Sequence, residues 1–160
     1  MLRRVLRTPP LLVSGLLIIG LVGSGLTACD SVNDALGGGR KQFTEAANSF
    51  ATASSAYIDD VNALFDSGDK ATYLTASTTS VDDMEAALQK MQRAVPDVSG
   101  RPRNAADDAV NAAEAMTAAA AKITAAVRTN DVDAAQTAAG TFEAQRTEFN
   151  HAVNSFKDAS

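Results

Sequence analysis

The sequence predicts an all-α domain, an antiparallel up-down four-helix bundle built from two helical hairpins, lying behind an apolar N-terminal leader. Three observations predict it. Alanine, the strongest helix former, supplies 31 of the residues from Cys29 onward. Apolar residues in that part recur at alternating steps of three and four, the spacing that holds one seam of a helix against its neighbours. No segment alternates apolar and polar residues as a half-buried strand does. A length of 160 residues leaves room for one such domain.

The leader comes first. Residues 1–7 carry Arg3, Arg4 and Arg7 and no acid, and residues 11–28 carry no charge and are rich in Leu, Val, Ile and Gly. A basic start, an apolar stretch and small residues before a cut site make a signal peptide of residues 1–28. Gly15, Gly20, Gly23 and Gly25 suit a permanent membrane helix poorly, and the uncharged stretch is at the short end for a span. Arg3-Arg4 resembles a twin-arginine export signal, but Leu2 stands where Ser or Thr is usual, which favours the general export route.

The leader ends in Leu26-Thr27-Ala28-Cys29. This resembles the lipobox of bacterial lipoproteins: an aliphatic residue, a small or hydroxylated residue, a small residue, then Cys. The resemblance implies that the Cys29 thiol receives a diacylglyceryl group and that signal peptidase cuts between Ala28 and Cys29. It further implies acyl chains of the palmitate kind and a lipid-anchored place on the extracytoplasmic face of the cell membrane. The chain's single Cys is the residue that lipidation needs. The resemblance covers residues 1–29 and does not extend to the helical domain. Two or more acyl chains hold a protein stably, since each buried methylene contributes about 0.8 kcal/mol. Without the leader the net charge falls from −5 to −8, so anionic headgroups do not attract the domain and the lipid carries the anchoring.

Residues 29–40 read as the lipidated Cys and a flexible tether, because Gly37-Gly38-Gly39 offers no side chain to pack. Residues 41–160 read as the helical bundle. Its first segment carries Phe43, Ala47, Phe50, Ser54, Tyr57, Val61 and Leu64 on one seam, and the turn Ser67-Gly68-Asp69 ends it. The second carries Val81, Met84, Leu88, Met91 and Val95; five Ser or Thr between Thr75 and Ser80 suggest a separate turn and a helix start at Ser80. Pro96, Gly100 and Pro102 break the chain before the third segment, whose stripe is Val110, Ala113, Met116, Ala120, Ile123 and Val127. Thr129-Asn130-Asp131 turns into the fourth, with Val132, Ala135, Ala139, Phe142, Phe149, Val153 and Phe156. The two hairpin turns open alike, Gly68-Asp69 and Asn130-Asp131. All six Phe lie on the first and fourth segments, which are expected to build the core. The Ala-rich third segment contributes little burial per residue; plain Ala-to-Phe interdigitation is the expected packing, and gaps left beside it would form an apolar cleft between helices one, three and four.

Composition excludes much chemistry. One Cys and one His cannot supply a zinc cluster or a disulfide scaffold. An acidic chain poor in aromatics is not built for nucleic acid. Glu148-Phe149-Asn150-His151 has the Glu-x-x-His spacing of helical carboxylate metal sites. At 100° per residue, however, His151 lies about 200° from Phe149, and Glu45 and Glu114 also fall off their stripes. They point to solvent, so no metal and no cofactor is expected. Asp82-Asp83, Asp107-Asp108, Asp131 and Asp133 read as acids at helix starts; Asp59-Asp60 lacks that reason. No phosphate loop, nucleophile elbow or dinucleotide fingerprint occurs. The expected function is therefore non-enzymatic: a membrane-anchored envelope lipoprotein whose bundle binds or scaffolds an envelope protein. The alternative is a carrier or sensor for a small apolar ligand, with a metal enzyme using His151 a distant third.

Overall fold

The computed structural model describes residues 38–159, and all of its regular structure is helical. The signal peptide, Leu26 to Cys29 with its cut site, and most of the tether lie outside the described residues. Four long helices follow one another: α1 (Gly38–Ser67), α2 (Lys70–Ala94), α3 (Pro102–Thr129) and α4 (Val132–Asp158). A short 3-10 turn (Val95–Asp97) continues α2 before the chain crosses to α3.

The helix ends follow local chemistry. Gly68 and Asn130 take left-handed backbone, with φ of 67° and 58°, and each is followed by an Asp that caps the next helix. Asp69 accepts from the backbone N–H groups of Ala71 and Thr72 and from the Thr72 hydroxyl; those hydrogen bonds, the hydroxyl's first, hold its carboxyl below the usual carboxylate range. Asp131 accepts from Ala134 N–H at 3.0 Å. The likeness of the two turns seen in the sequence is thus one turn chemistry used twice. At the crossing, Gly100 has φ 77° and Pro102 opens α3, where its missing N–H costs nothing.

Three expectations change here. First, α1 starts at Gly38, inside the stretch read as tether, and Gly39 is buried: a Cβ there would run into the Asp97 backbone. That glycine permits a close approach rather than flexibility. Second, α2 is continuous from Lys70, because Asp69 supplies the cap and Ser and Thr hydroxyls fold back onto the helix, as Thr78 does onto Leu74 O. Ser80 is mid-helix and donates to Asp60 Oδ2 across to α1 at 2.7 Å, which gives that mid-helix acid its reason. Third, Asp82 and Asp83 are therefore mid-helix and exposed, and Asp107 pairs with Arg103 one turn back at 3.5 Å instead of capping.

The predicted seams of α2 and α3 are buried or half-buried throughout, as is that of α1. Helix α1 packs along α2, α3 along α4, and α2 against α3. Between α1 and α4 the contact is made by rings. Phe43 meets Phe156 at 4.6 Å between centroids, Phe50 meets Phe149 at 5.0 Å, and Tyr57 meets Phe142 at 5.6 Å. As the α1 number rises by seven, the α4 number falls by seven. The Arg40 guanidinium covers the outer end of this ladder, 5.6 Å from the Phe156 centroid. Phe65 and Val132 depart from the expected core: they are 50 % and 53 % exposed. Val98, in the crossing, is buried at 1 % and was not marked by any periodicity.

Candidate functional site: an apolar cleft at the hairpin-turn end

The ring ladder has three rungs. One more step of seven along each helix reaches Leu64 on α1 and Ala135 on α4, and both line a cleft of about 420 Å³. The physical cause is volume. The ring pairs set the spacing of α1 and α4, and a Leu facing an Ala does not fill that spacing. The first ten residues of α4, Val132 to Thr141, contain no large apolar side chain beyond Val132. The cleft lies between α1, α3 and α4, with Lys70 and Tyr73 of α2 in its lining, so the interdigitation expected from the sequence does not close the bundle at this end.

Tyr57 and Phe142, both buried, close its inner end. Ile58 and Val61 of α1 and Ile123 and Val127 of α3 line its walls. Phe65 and Val132 stand at its rim, and they are the exposed large apolar residues of the described chain.

The polar groups around the cleft are few. The Tyr57 hydroxyl donates to Ala120 O at 2.9 Å. With its one hydrogen so used, its oxygen accepts from the Tyr73 hydroxyl at 3.1 Å and from Thr124 Oγ1 at 3.3 Å. Burial pushes this phenol well above the usual tyrosine range, so Tyr57 presents a neutral ring to the cleft. Lys70 Nζ donates to Arg128 O and to Asn130 Oδ1, each at 2.9 Å, and ties the two hairpin turns together at the cleft's end. Glu143 also lines the cleft. Its Oε2 takes Arg146 at 3.1 Å, while its Oε1 is sealed from solvent and receives no hydrogen bond from the protein.

The residues weighed for metal chemistry stand elsewhere. Glu148 and His151 are exposed on α4, Glu45 is exposed on α1 and Glu114 on α3, as their helical phase placed them. Among the described residues no three of His, Cys, Asp and Glu come together to hold a metal ion. Among the same residues no helix is long and apolar enough to cross a membrane. Cys29 and Ala28 lie outside the described residues. The sequence offered a cleft between helices one, three and four only as the alternative to full interdigitation, and it did not mark Glu143, Lys70 or Phe65 as parts of one. The signal for Phe65 was available: it is one residue off the seam that Leu64 occupies. The chain matches no protein-family model, no curated protein and no solved structure.

Proposed function

We propose that the chain is an envelope lipoprotein, anchored to the extracytoplasmic face of the cell membrane through a diacylglyceryl group on Cys29, whose helical domain acts by binding and not by catalysis. The domain is an antiparallel up-down four-helix bundle; the opposite numbering of the α1 and α4 ring pairs supports that topology. The sequence leaves two kinds of partner open, an envelope protein and a small apolar molecule. The cleft favours the second. Its volume of about 420 Å³ lies within the ~300–1,000 Å³ usual for ligand pockets, and its walls are apolar with few polar groups.

In the proposed anchored form Cys29 precedes the Gly38 end of α1 in sequence, and the cleft lies toward the other end of that helix. From Gly38 to Val61 the helix rises roughly 35 Å, so the mouth would face away from the membrane-proximal end. A ligand site held there suits a sensor or a carrier that exchanges with the envelope space.

Two experiments test the proposal. Metabolic labelling with a palmitate analogue should mark the wild type, and Cys29→Ala should abolish the label and maturation; normal cleavage and release of the variant would remove the lipoprotein assignment. For the site, an environment-sensitive apolar dye should brighten on binding the mature domain. Ala135→Phe adds the missing ring and should suppress the signal. Equal dye response in both proteins would sink the cleft as the binding site.

A further inference from the structure

Charge is not spread evenly along the bundle. Contacts define the end away from the cleft: Gly39 abuts the Asp97 backbone, Phe43 and Arg40 meet Phe156, and Arg103 Nη1 donates to Pro96 O at 3.3 Å. The starts of α1 and α3, the α2–α3 crossing and the end of α4 therefore share this end. At or beyond the level of the Phe43–Phe156 pair stand six basic residues, Arg40, Lys41, Arg93, Arg101, Arg103 and Lys157, against two acids, Asp97 and Asp158. The acids begin one turn further in, at Glu45 and Asp107, and the rest of the described chain holds fifteen acids against five bases. Arg103 is shared with Asp107. Lys41, Arg93, Arg101 and Lys157 are exposed, and among the described residues no carboxylate lies within ion-pair distance of these four.

We propose that this end is a docking face for the anionic phospholipid headgroups of the leaflet that holds the anchor, with Lys41, Arg93, Arg101 and Lys157 at the contact. The step rests on the Cys29 anchor for what brings the face to the membrane. Cys29 stands nine residues before Gly38, so the tether reaches at most about 32 Å and delivers this end rather than the other. Its Asp30 and Asp34 still leave the bases in excess. Screening decides which charges the membrane feels. The Debye length is about 8 Å at physiological ionic strength, while the Asp66, Asp69, Asp131 and Asp133 end lies roughly 40 Å away along the helices. The overall negative charge, which led to an expectation of no attraction, is an average over two unlike ends. Tethering makes docking intramolecular, so a few Lys and Arg contacts suffice to hold the bundle upright with the cleft turned away from the lipid.

The chain has no Trp, so Ser99→Trp in the crossing or Ala134→Trp in the first turn of α4 gives a single fluorescent donor. The lipidated protein is held in vesicles of phosphatidylcholine, with or without phosphatidylglycerol, that carry a dansyl-headgroup lipid as acceptor. In about 0.01 M salt, energy transfer from Ser99→Trp should be at least about twofold higher on the anionic vesicles than on the neutral ones. The difference should vanish in about 1 M salt, where the Debye length is about 3 Å. Ala134→Trp should give low transfer on both. Changing Lys41, Arg93, Arg101 and Lys157 together to Gln should remove the difference, while Lys122→Gln with Arg128→Gln, toward the other end, should leave it. Circular dichroism checks folding, and the salt series reads the same face without any charge substitution. Equal transfer on the two vesicles, or a difference that the fourfold change leaves intact, overturns the docking face while the anchor stands. Mass spectrometry reads the anchor separately: if Cys29 carries no lipid, that reading fails, and coupling the Cys29 thiol of the mature chain to a maleimide lipid puts the face to the same test.

Discussion

Tyr57 and Phe142 form the last ring pair between α1 and α4, 5.6 Å apart, and the cleft begins directly beyond them. The pair separations widen toward that end, from 4.6 through 5.0 to 5.6 Å. The hollow is therefore the continuation of a ladder whose next rung is too small. This relationship leads to the first prediction.

Ala135→Phe supplies a fourth ring opposite Leu64. Burying part of that ring should stabilise the domain by about 1 kcal/mol, below the ~1.5–3 expected for full burial. The melting temperature should rise as dye binding falls. A lowered melting temperature would mean that the hollow does not accommodate the ring.

Tyr57→Phe removes a hydroxyl that joins α1, α2 and α3 through Tyr73, Ala120 and Thr124. The cost should be about 1 kcal/mol near neutral pH. The variant should also change the alkaline limb of stability. Burial raises the phenol's folded pKa above its unfolded value of 10.0, so above that pH the unfolded chain has lost a proton that the folded chain keeps. Stability contributed by this group is complete below pH 10 and declines as pH rises further, by about 1.4 kcal/mol per unit. Urea titrations from pH 9 to 11 should show that extra decline in the wild type and not in Tyr57→Phe.

Two helical glycines should respond oppositely to alanine. Gly140 in α4 has open space where a Cβ would go, so Gly140→Ala should stabilise by about 1 kcal/mol through helix propensity. Gly39 abuts the Asp97 backbone, and Gly39→Ala should destabilise by about 1–3 kcal/mol through overpacking. Denaturant midpoints of the two variants measure the contrast; a stabilised Gly39→Ala would mean that α1 does not pack there.

Ser77 is fully buried on α2 and its Oγ has no hydrogen-bond partner. Ser77→Ala removes that unsatisfied group and improves helix propensity, so stability should rise by about 1 kcal/mol. A loss of stability would reveal a partner for the hydroxyl, such as a bound water.

The sequence by itself determined the helical class, the four segments, their turns and nearly all of their buried seams. These are local properties: propensity, capping and a 3.5-residue period depend on neighbours within a few positions. It also determined that His151 and Glu148 face outward, since helical phase is local. Where a nearby competitor existed, local reasoning erred: the run from Thr75 to Ser80 looked like a break, but the Asp69 cap upstream carries the helix through it. Gly39 looked like a linker because the Asp97 backbone that crowds it is remote in sequence. Only the tertiary structure decided that Phe65 and Val132 lie at an open rim, that Lys70 joins the two turns, and that Glu143 keeps one oxygen sealed beside the cleft. Those facts depend on how far apart α1 and α4 stand, a distance set jointly by three ring pairs from both ends of the chain.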